Sequence, residues 1–506
     1  MIVAGASEAR PGPLDLYRTI WATGTAWTDR RWVRTGVEVG FIATWLLLRL
    51  SGSHPALDGA WTAAAVGLSL LAPGSGLVVL VAIAPWNEPL TLGHALGLRN
   101  LLPPTLGVSV GLRILARPRS MPWSPPTLAA VGLLAVTLLL GVGTMYSWNG
   151  RSIGWDSATF WLAGFGGAML VLLVAVWLGY HGDRRPLWAA VIAATVAGLL
   201  SLVDYLLPNL LGDLSLQALL SDREFGGRLA GAIASPPAMV SLLIAPTAVF
   251  AAALVLAQDR RLRIAAAVLL PALLATLALT YSRAAILAVF AVAVIVLWRW
   301  RRRVGAGLLV VGLLVGVALT PVYLQTRANA LGGSAVVQPG RVLIAGDEQR
   351  ITAWGAAARM WLDQPLLGHG FRSYKILAPA YGDPVLGSPH NEWLRLFAEE
   401  GIAAGILGVA FLVLVAGRLA RSPGWLATGA LGAFIGWAIT ATFNNPFLFL
   451  QVNAIVFTVA GIALGFGQRA GVPDGPAPAG DPEPPSALKP SNVPAPEPPA
   501  DAVGPA

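Results

Sequence analysis

The stretch IAAAVLLPALLATLALT-YSR-AAILAVFAVAVIVLW, residues 264–298, sets the fold class. Two apolar runs, 264–280 and 282–298, meet at a very tight turn, Tyr281-Ser282-Arg283, that places one arginine almost at membrane depth. A helix that crosses a bilayer needs roughly 20 apolar residues. Runs of this kind recur from Val37 to Phe466. Working outward, the expected spans are 36–50, 61–84, 95–116, 126–146, 157–180, 187–207, 231–257, 264–280, 282–298, 304–322, 393–418, 425–442 and 446–467. Ala72-Pro73-Gly74-Ser75-Gly76 breaks the second into half-helices, and Pro103, Pro104 and Arg99 disturb the third. Twelve crossings is the expected count, with fourteen as the alternative. The fold class is therefore an all-α integral membrane protein.

Composition agrees. Of 506 residues, 56% are hydrophobic and 12% charged, against roughly 25% charged in soluble proteins. The mean hydropathy is +0.68. The absence of cysteine excludes a disulfide framework, thiol catalysis and a zinc-thiolate site. The net charge of +9 reads as membrane orientation, with no nucleic acid implied. Arg and Lys cluster between alternate spans, as at Arg30, Arg31 and Arg34, at Arg184 and Arg185, and at Arg299 to Arg303. The short loops of the other side carry only Arg151, Arg223, Arg228 and Arg283. By the positive-inside rule both termini are cytoplasmic and the crossings are even in number.

Five segments follow: a cytoplasmic N-terminal segment 1–35 with no signal-peptide core, a transmembrane region 36–322, a large external loop 323–392, C-terminal spans 393–467, and a Pro/Ala-rich tail 468–506. The tail's composition cannot bury a core and reads as disordered. A loop of roughly 70 residues is uncommon unless it is functional. Within it, Gln349 to Asp363 has Ile351, Trp354, Ala358 and Trp361 at helical spacing, so a helix is expected to lie on the membrane surface or cap a cavity.

No phosphate-binding glycine loop and no HExxH occur. The external loop holds two of the five histidines, His369 and His390. No histidine pair has helical ligand spacing, so no metal site is assigned. Ser388 is suited to cap a helix and Pro389 to its first position. His390 would then sit in the first turn, where the helix dipole disfavours the imidazolium. A neutral imidazole there is suited to act as a general base, whereas the bland reading is a capping histidine. Arg283, and Arg228 within Glu224-Phe225-Gly226-Gly227-Arg228-Leu229-Ala230-Gly231, lie at short external turns. Two guanidinium forks beside a loop that ends in histidine point to a shared anion site, whereas one arginine alone reads as snorkelling.

The string His390-Asn391-Glu392-Trp393-Leu394, followed by Glu400-Gly401, resembles the end of the large periplasmic loop in the O-antigen ligase/polymerase superfamily. Trp361 to Gly370 resembles that family's helix running into a Pro-Leu-x-Gly-x-Gly turn. Tyr281-Ser282-Arg283-Ala284 and Gly227-Arg228-Leu229-Ala230-Gly231 resemble its Ser-Arg turn and Arg-x-x-Gly segment. Ser235-Pro236-Pro237 departs from the family's Asn-Pro-Asn, so no substrate contact is assigned there.

The resemblance implies a GT-C-like, metal-independent, inverting glycosyltransferase without cofactor in the bacterial inner membrane, multi-pass, with its site facing the periplasm. The donor would be a polyprenyl-diphosphate-linked glycan and the acceptor lipid A-core or another glycan, amid membrane lipids. Arg228 and Arg283 would bind the donor diphosphate and stabilise the leaving group. His390 would activate the acceptor hydroxyl. Asn391, Glu392, Arg359 and Arg372 are further candidate loop contacts. O-antigen ligase is the first reading, and polymerase or protein O-oligosaccharyltransferase the alternatives. A lipid-linked glycan transporter fits less well, because the notable charges lie at span ends rather than mid-membrane and no internal repeat is evident.

Overall fold

The computed structural model describes residues 30–52, 55–86, 91–92, 96–144, 157–207, 210, 229, 235–307, 310, 347–384 and 386–469. The architecture is that of an all-α integral membrane protein. Nine of the described helices are long and apolar enough to cross a bilayer.

The chain opens with α1 (Arg31–Leu50), then α2 (Pro55–Leu71) and α3 (Pro73–Ile83). The expected break of the second span falls at Ala72, where Pro73 starts the new helix. The third span begins later than expected. Thr91–Leu92 first pairs antiparallel with Leu96–Gly97, Thr91 opposite Gly97. The helix α4 (Leu98–Ala116) then runs through Pro103 and Pro104. Membrane helices tolerate such prolines because neighbouring helices and side chains satisfy the freed backbone groups.

Next come α5 (Pro125–Val136), continued by a π-turn at Thr137–Val142, then α6 (Phe165–Tyr180), α7 (Arg185–Leu206), α8 (Pro236–Leu256), α9 (Arg260–Leu279) and α10 (Arg283–Trp300). Ser235 caps α8, its hydroxyl accepting the Ala238 N–H, which gives the departing Ser-Pro-Pro stretch a local structural role. Most of the expected span 304–322 lies outside the described residues, as do the tail 470–506 and Arg151, Arg223 and Arg228.

The loop contributes α11 (Asp347–Asp363) and the short α12 (Ser373–Leu377), before α13 (Glu392–Arg421), α14 (Trp425–Phe443) and α15 (Leu450–Arg469). The expected loop helix is present, but its buried face differs. Ala353, Ala356, Ala357 and Met360 are fully buried, whereas Ile351 is exposed. The small alanines let α11 approach Tyr374 and Ala398 closely, and the bulkier Trp354 and Trp361 lie half-buried on its flanks.

The core is built on α15 against α6 and on α14 against α8 and α10. An aromatic cluster of Trp437, Phe434, Phe447 and Phe457 fills the space near the α14–α15 turn. Trp437 donates its indole N–H to Asn453 Oδ1 at 3.0 Å, and Asn453 donates to the Pro446 carbonyl at 2.8 Å. That turn is thereby fixed beside the start of α13.

Candidate active site

The cap of α13 is Asn391. Its side-chain oxygen accepts the N–H groups of Trp393 and Leu394, each at 3.1 Å. The expectation of a Ser388 cap with His390 in the first turn is corrected. Ser388 Oγ instead pairs with the Asn445 amide and accepts the His390 N–H at 3.4 Å. His390 precedes the cap, in left-handed backbone with φ 49°. Burial holds the imidazole below the ordinary histidine range, the charge of Arg350 adds to that, and Asp383 opposes it.

Among the described residues three non-glycine positions have positive φ: Tyr281, Arg372 and His390. Such backbone persists only where its surroundings over-determine it, and it clusters at functional sites. Here the three fall in the turn before Arg283, in the loop, and at the loop's end.

Arg283 is half-buried and opens α10 behind a buried Ser282. Leu229, next in the chain to the undescribed Arg228, donates its N–H to the Leu279 carbonyl at 3.1 Å. This fixes position 229 beside the turn that carries Arg283. The helix α14 packs against both α10 and α13, and Trp393 donates to Thr442 Oγ1 of α14 at 3.2 Å. It is thus the element common to Arg283 and to the segment of His390.

The other candidate contacts have structural partners. Arg359 donates Nε to the Tyr381 carbonyl at 2.9 Å. Arg372 lays its guanidinium over the Phe160 ring, 3.4 Å from the centroid. Asn391 is occupied as the cap. Glu392 is fully buried, accepting from Arg395 Nε at 2.8 Å and from the Phe447 N–H at 3.3 Å.

The sequence analysis gives no role to Arg395, Glu399 or Glu400, although the i, i+3 and i, i+4 spacing of Glu392, Arg395 and Glu399 is a pairing signal. All four side chains are buried. Arg395 bridges Glu392 to Glu399, the latter at 3.0 Å. Glu399 also accepts the Arg372 N–H at 2.9 Å and the Tyr374 N–H at 3.1 Å, so the ion pair holds the strained loop backbone. Among the described residues neither carboxylate oxygen of Glu400 has a hydrogen-bond partner. It lies against the π-turn, where a Cβ on Gly141 would come 3.2 Å from its Cγ.

The loop is docked by main chain as well. Gly401 adopts φ 75°, ψ −174°, a conformation open essentially to glycine alone, and interrupts α13. The carbonyls of Ala398 and Glu399 accept the N–H groups of His369 (3.2 Å) and Gly370 (2.6 Å), and the Ile402 N–H reaches the Pro365 carbonyl at 2.8 Å. His369, in its glycine-flanked turn, is 3% exposed and donates Nε2–H to the Met360 carbonyl at 2.9 Å.

Two tyrosines complete the loop's interior. Burial, together with the Asp363 carboxylate 2.5 Å away, pushes the Tyr381 hydroxyl up to about 12. Tyr374 is likewise pushed up by burial and by Asp383. Among the described residues no group of three or more His, Cys, Asp or Glu side chains is arranged to hold a metal ion.

Residues 266–409 match the family model described as O-antigen ligase. The match takes in Arg283, the described loop, His390 and the Gly401 break. This segment is thus of the O-antigen ligase superfamily, a family of multi-pass membrane enzymes of the ligase and polymerase type. No curated protein matches the chain.

Proposed function

We propose that the protein is a membrane glycosyltransferase that moves a glycan from a polyprenyl-diphosphate carrier to an acceptor hydroxyl at the external face of the bacterial inner membrane. Lipid A-core is the first acceptor to test. The observation that carries the reading is His390: a half-buried imidazole, kept towards its neutral form, at the end of the loop within the family-matching segment.

In this reading the acceptor hydroxyl gives its proton to His390 as its oxygen attacks the anomeric carbon. The bond from that carbon to the diphosphate oxygen breaks, and its electron pair leaves with the diphosphate. Arg283 and Arg228 bind the diphosphate and stabilise the charge that builds on it. A single in-line displacement inverts the anomeric centre. Side chains fill the proton and phosphate roles, so the reaction needs no metal.

The test is transfer by purified protein from a lipid-linked glycan, with and without EDTA. His390→Ala should lower turnover roughly a hundredfold to ten-thousandfold, the usual range for loss of a general base, with unchanged membrane insertion. Arg283→Lys should lower it strongly, because an ammonium does not reproduce a bidentate fork. His369→Ala should act on thermal stability more than on turnover. EDTA should change nothing. Near-normal transfer by His390→Ala, or loss of wild-type transfer in EDTA, sinks this mechanism. In a deletion strain, a lipopolysaccharide ladder lost from the core identifies a ligase, and core plus one repeat a polymerase.

A further inference from the structure

The joint where the loop meets α13 leaves large apolar side chains uncovered. Leu366 is 69% exposed and Leu367 is 54% exposed. They fall in the stretch 360–371, whose one charged residue, Asp363, is turned to the Tyr381 hydroxyl. Exposed apolar clusters mark protein or membrane interaction surfaces. The place of this one along α13 is fixed by backbone. The Ile402 N–H bonds the Pro365 carbonyl at 2.8 Å, and a Cβ at Gly401 would strike the Leu366 carbonyl. The two leucines are therefore level with the Gly401–Ile402 step of the helix. The end of α11 reaches the same region. Trp361 packs edge-on against Phe397, with centroids 5.2 Å apart, and the Phe397 ring lies against Gly405.

That level falls inside the bilayer. The run Gly401–Gly417 carries no charged residue, and Arg418 follows it, by the positive-inside rule at the cytoplasmic end. The run rises about 25 Å at 1.5 Å per residue, whereas the hydrocarbon core is about 30 Å thick. A core of that thickness with Arg418 at its inner boundary extends past Gly401 and takes in the turn of Leu366 and Leu367. Further along, Ile402, Ile406, Val409 and Val413 form one exposed apolar stripe at helical spacing, the lipid-facing side of the span. The turn is bonded to Ile402, the first residue of that stripe.

We propose that the Leu366–Leu367 turn is a membrane wedge, inserted among the acyl chains of the outer leaflet, which fixes the height of the loop over the bilayer. The sequence analysis places 323–392 wholly outside the membrane, and this turn is the exception. Bilayer lipid is the occupant because the stripe that the turn joins already faces lipid. The Trp361–Phe397 pair beside the joint fits the same placement, since aromatic rings are enriched at membrane–water interfaces. The wedge asks only for apolar side chains at 366 and 367, of no particular shape. It does not depend on which reaction the protein performs.

The chain has no cysteine, so one introduced thiol carries one label. Leu367→Cys is labelled with an environment-sensitive fluorophore. The full chain is then reconstituted in vesicles of phosphatidylcholine and phosphatidylglycerol that contain no polyprenyl lipid. The quenchers are phospholipids with a doxyl group near the headgroup end of the acyl chain, and aqueous iodide. The label at 367 should lose most of its emission to the doxyl lipid and little to iodide. Leu366→Cys repeats the reading from the neighbouring position. A label at Ile406→Cys, within the span, should respond to lipid alone, and one at Lys375→Cys, exposed on α12, to iodide alone. Iodide quenching at both 366 and 367 without lipid quenching places the turn in water and overturns the proposal. Protection from both quenchers means that a second copy or another part of the chain covers the leucines, and overturns it equally.

Discussion

Two ionic clusters, one half-buried and one fully buried, stand at different places in this helical bundle, and they are built differently. At the α6–α7 turn, Arg185 donates to Asp183 through Nε (2.9 Å) and Nη2 (2.6 Å) and also pairs with Glu38 of α1. Glu38 in turn accepts the Ser75 hydroxyl of α3 at 2.7 Å. Every carboxylate in that cluster is hydrogen-bonded, and the result ties three parts of the chain together. At the start of α13, one guanidinium serves three carboxylates. Two are bonded, to Arg395 and to backbone N–H groups of the loop and of the α14–α15 turn. The third, Glu400, has no hydrogen bond among the described residues. The first cluster is a staple. The second supports strained backbone at Arg372, and its third carboxyl is fully buried beside an ion pair that is already complete.

The contrast breaks most sharply at the two arginines. Arg395→Met would leave Glu392, Glu399 and Glu400 buried without a cation. Removing one partner of a buried pair costs about 3–5 kcal/mol, and transfer should fall with it because the Arg372 backbone loses its support. Thermal unfolding in detergent and transfer per folded molecule are the two readings. Full stability would show that the cluster holds less charge than its composition implies.

Arg185→Met should cost less, roughly 1–3 kcal/mol, because its side chain is 28% exposed and water screens the loss. Transfer per folded molecule should be unchanged. A selective loss of transfer would make the α6–α7 cluster more than a staple.

Glu400→Gln should have the smallest effect. It breaks no hydrogen bond among the described residues and replaces a buried carboxyl by a neutral amide of the same shape, so stability should change by less than about 1 kcal/mol or rise. A loss of several kcal/mol would mean that the carboxylate has a partner formed only in the working protein.

The membrane character, the break at Ala72 and the helix ending at Asp363 were legible in the sequence, because hydrophobic runs, proline and helical spacing act locally. The cap of α13 was not. Ser388 and Asn391 are both good capping residues, and the choice is made by a distant side chain. Asn445 occupies the Ser388 hydroxyl, and Asn391 is left to take the Trp393 and Leu394 N–H groups. The buried face of α11 was misread for a related reason. Close approach to Ala398 favours alanine over tryptophan, and that approach is a property of the partner element. Asp383 and Arg350 left no sequence signal, because only the folding of the loop brings their charges to His390. The pairing at Glu392, Arg395 and Glu399 was visible as spacing, but its hold on Arg372 and Phe447 was not.

The main-chain clasp at Gly401 bears on how this segment can vary. The three hydrogen bonds that join residues 365–370 to α13 use only backbone atoms, so they place no demand on the side chains of Leu366 and Leu367. Leu366 and Leu367 are largely exposed and are free to drift among apolar residues. A Cβ at Gly368 would meet the Glu399 backbone, and one at Gly401 the Leu366 carbonyl, so those two positions tolerate no side chain. A short, degenerate string of letters can therefore encode a docking joint of fixed shape. Its glycines record where two backbones touch, His369 between them is fixed by the Met360 carbonyl, and the exposed leucines before them are free text so long as it is apolar.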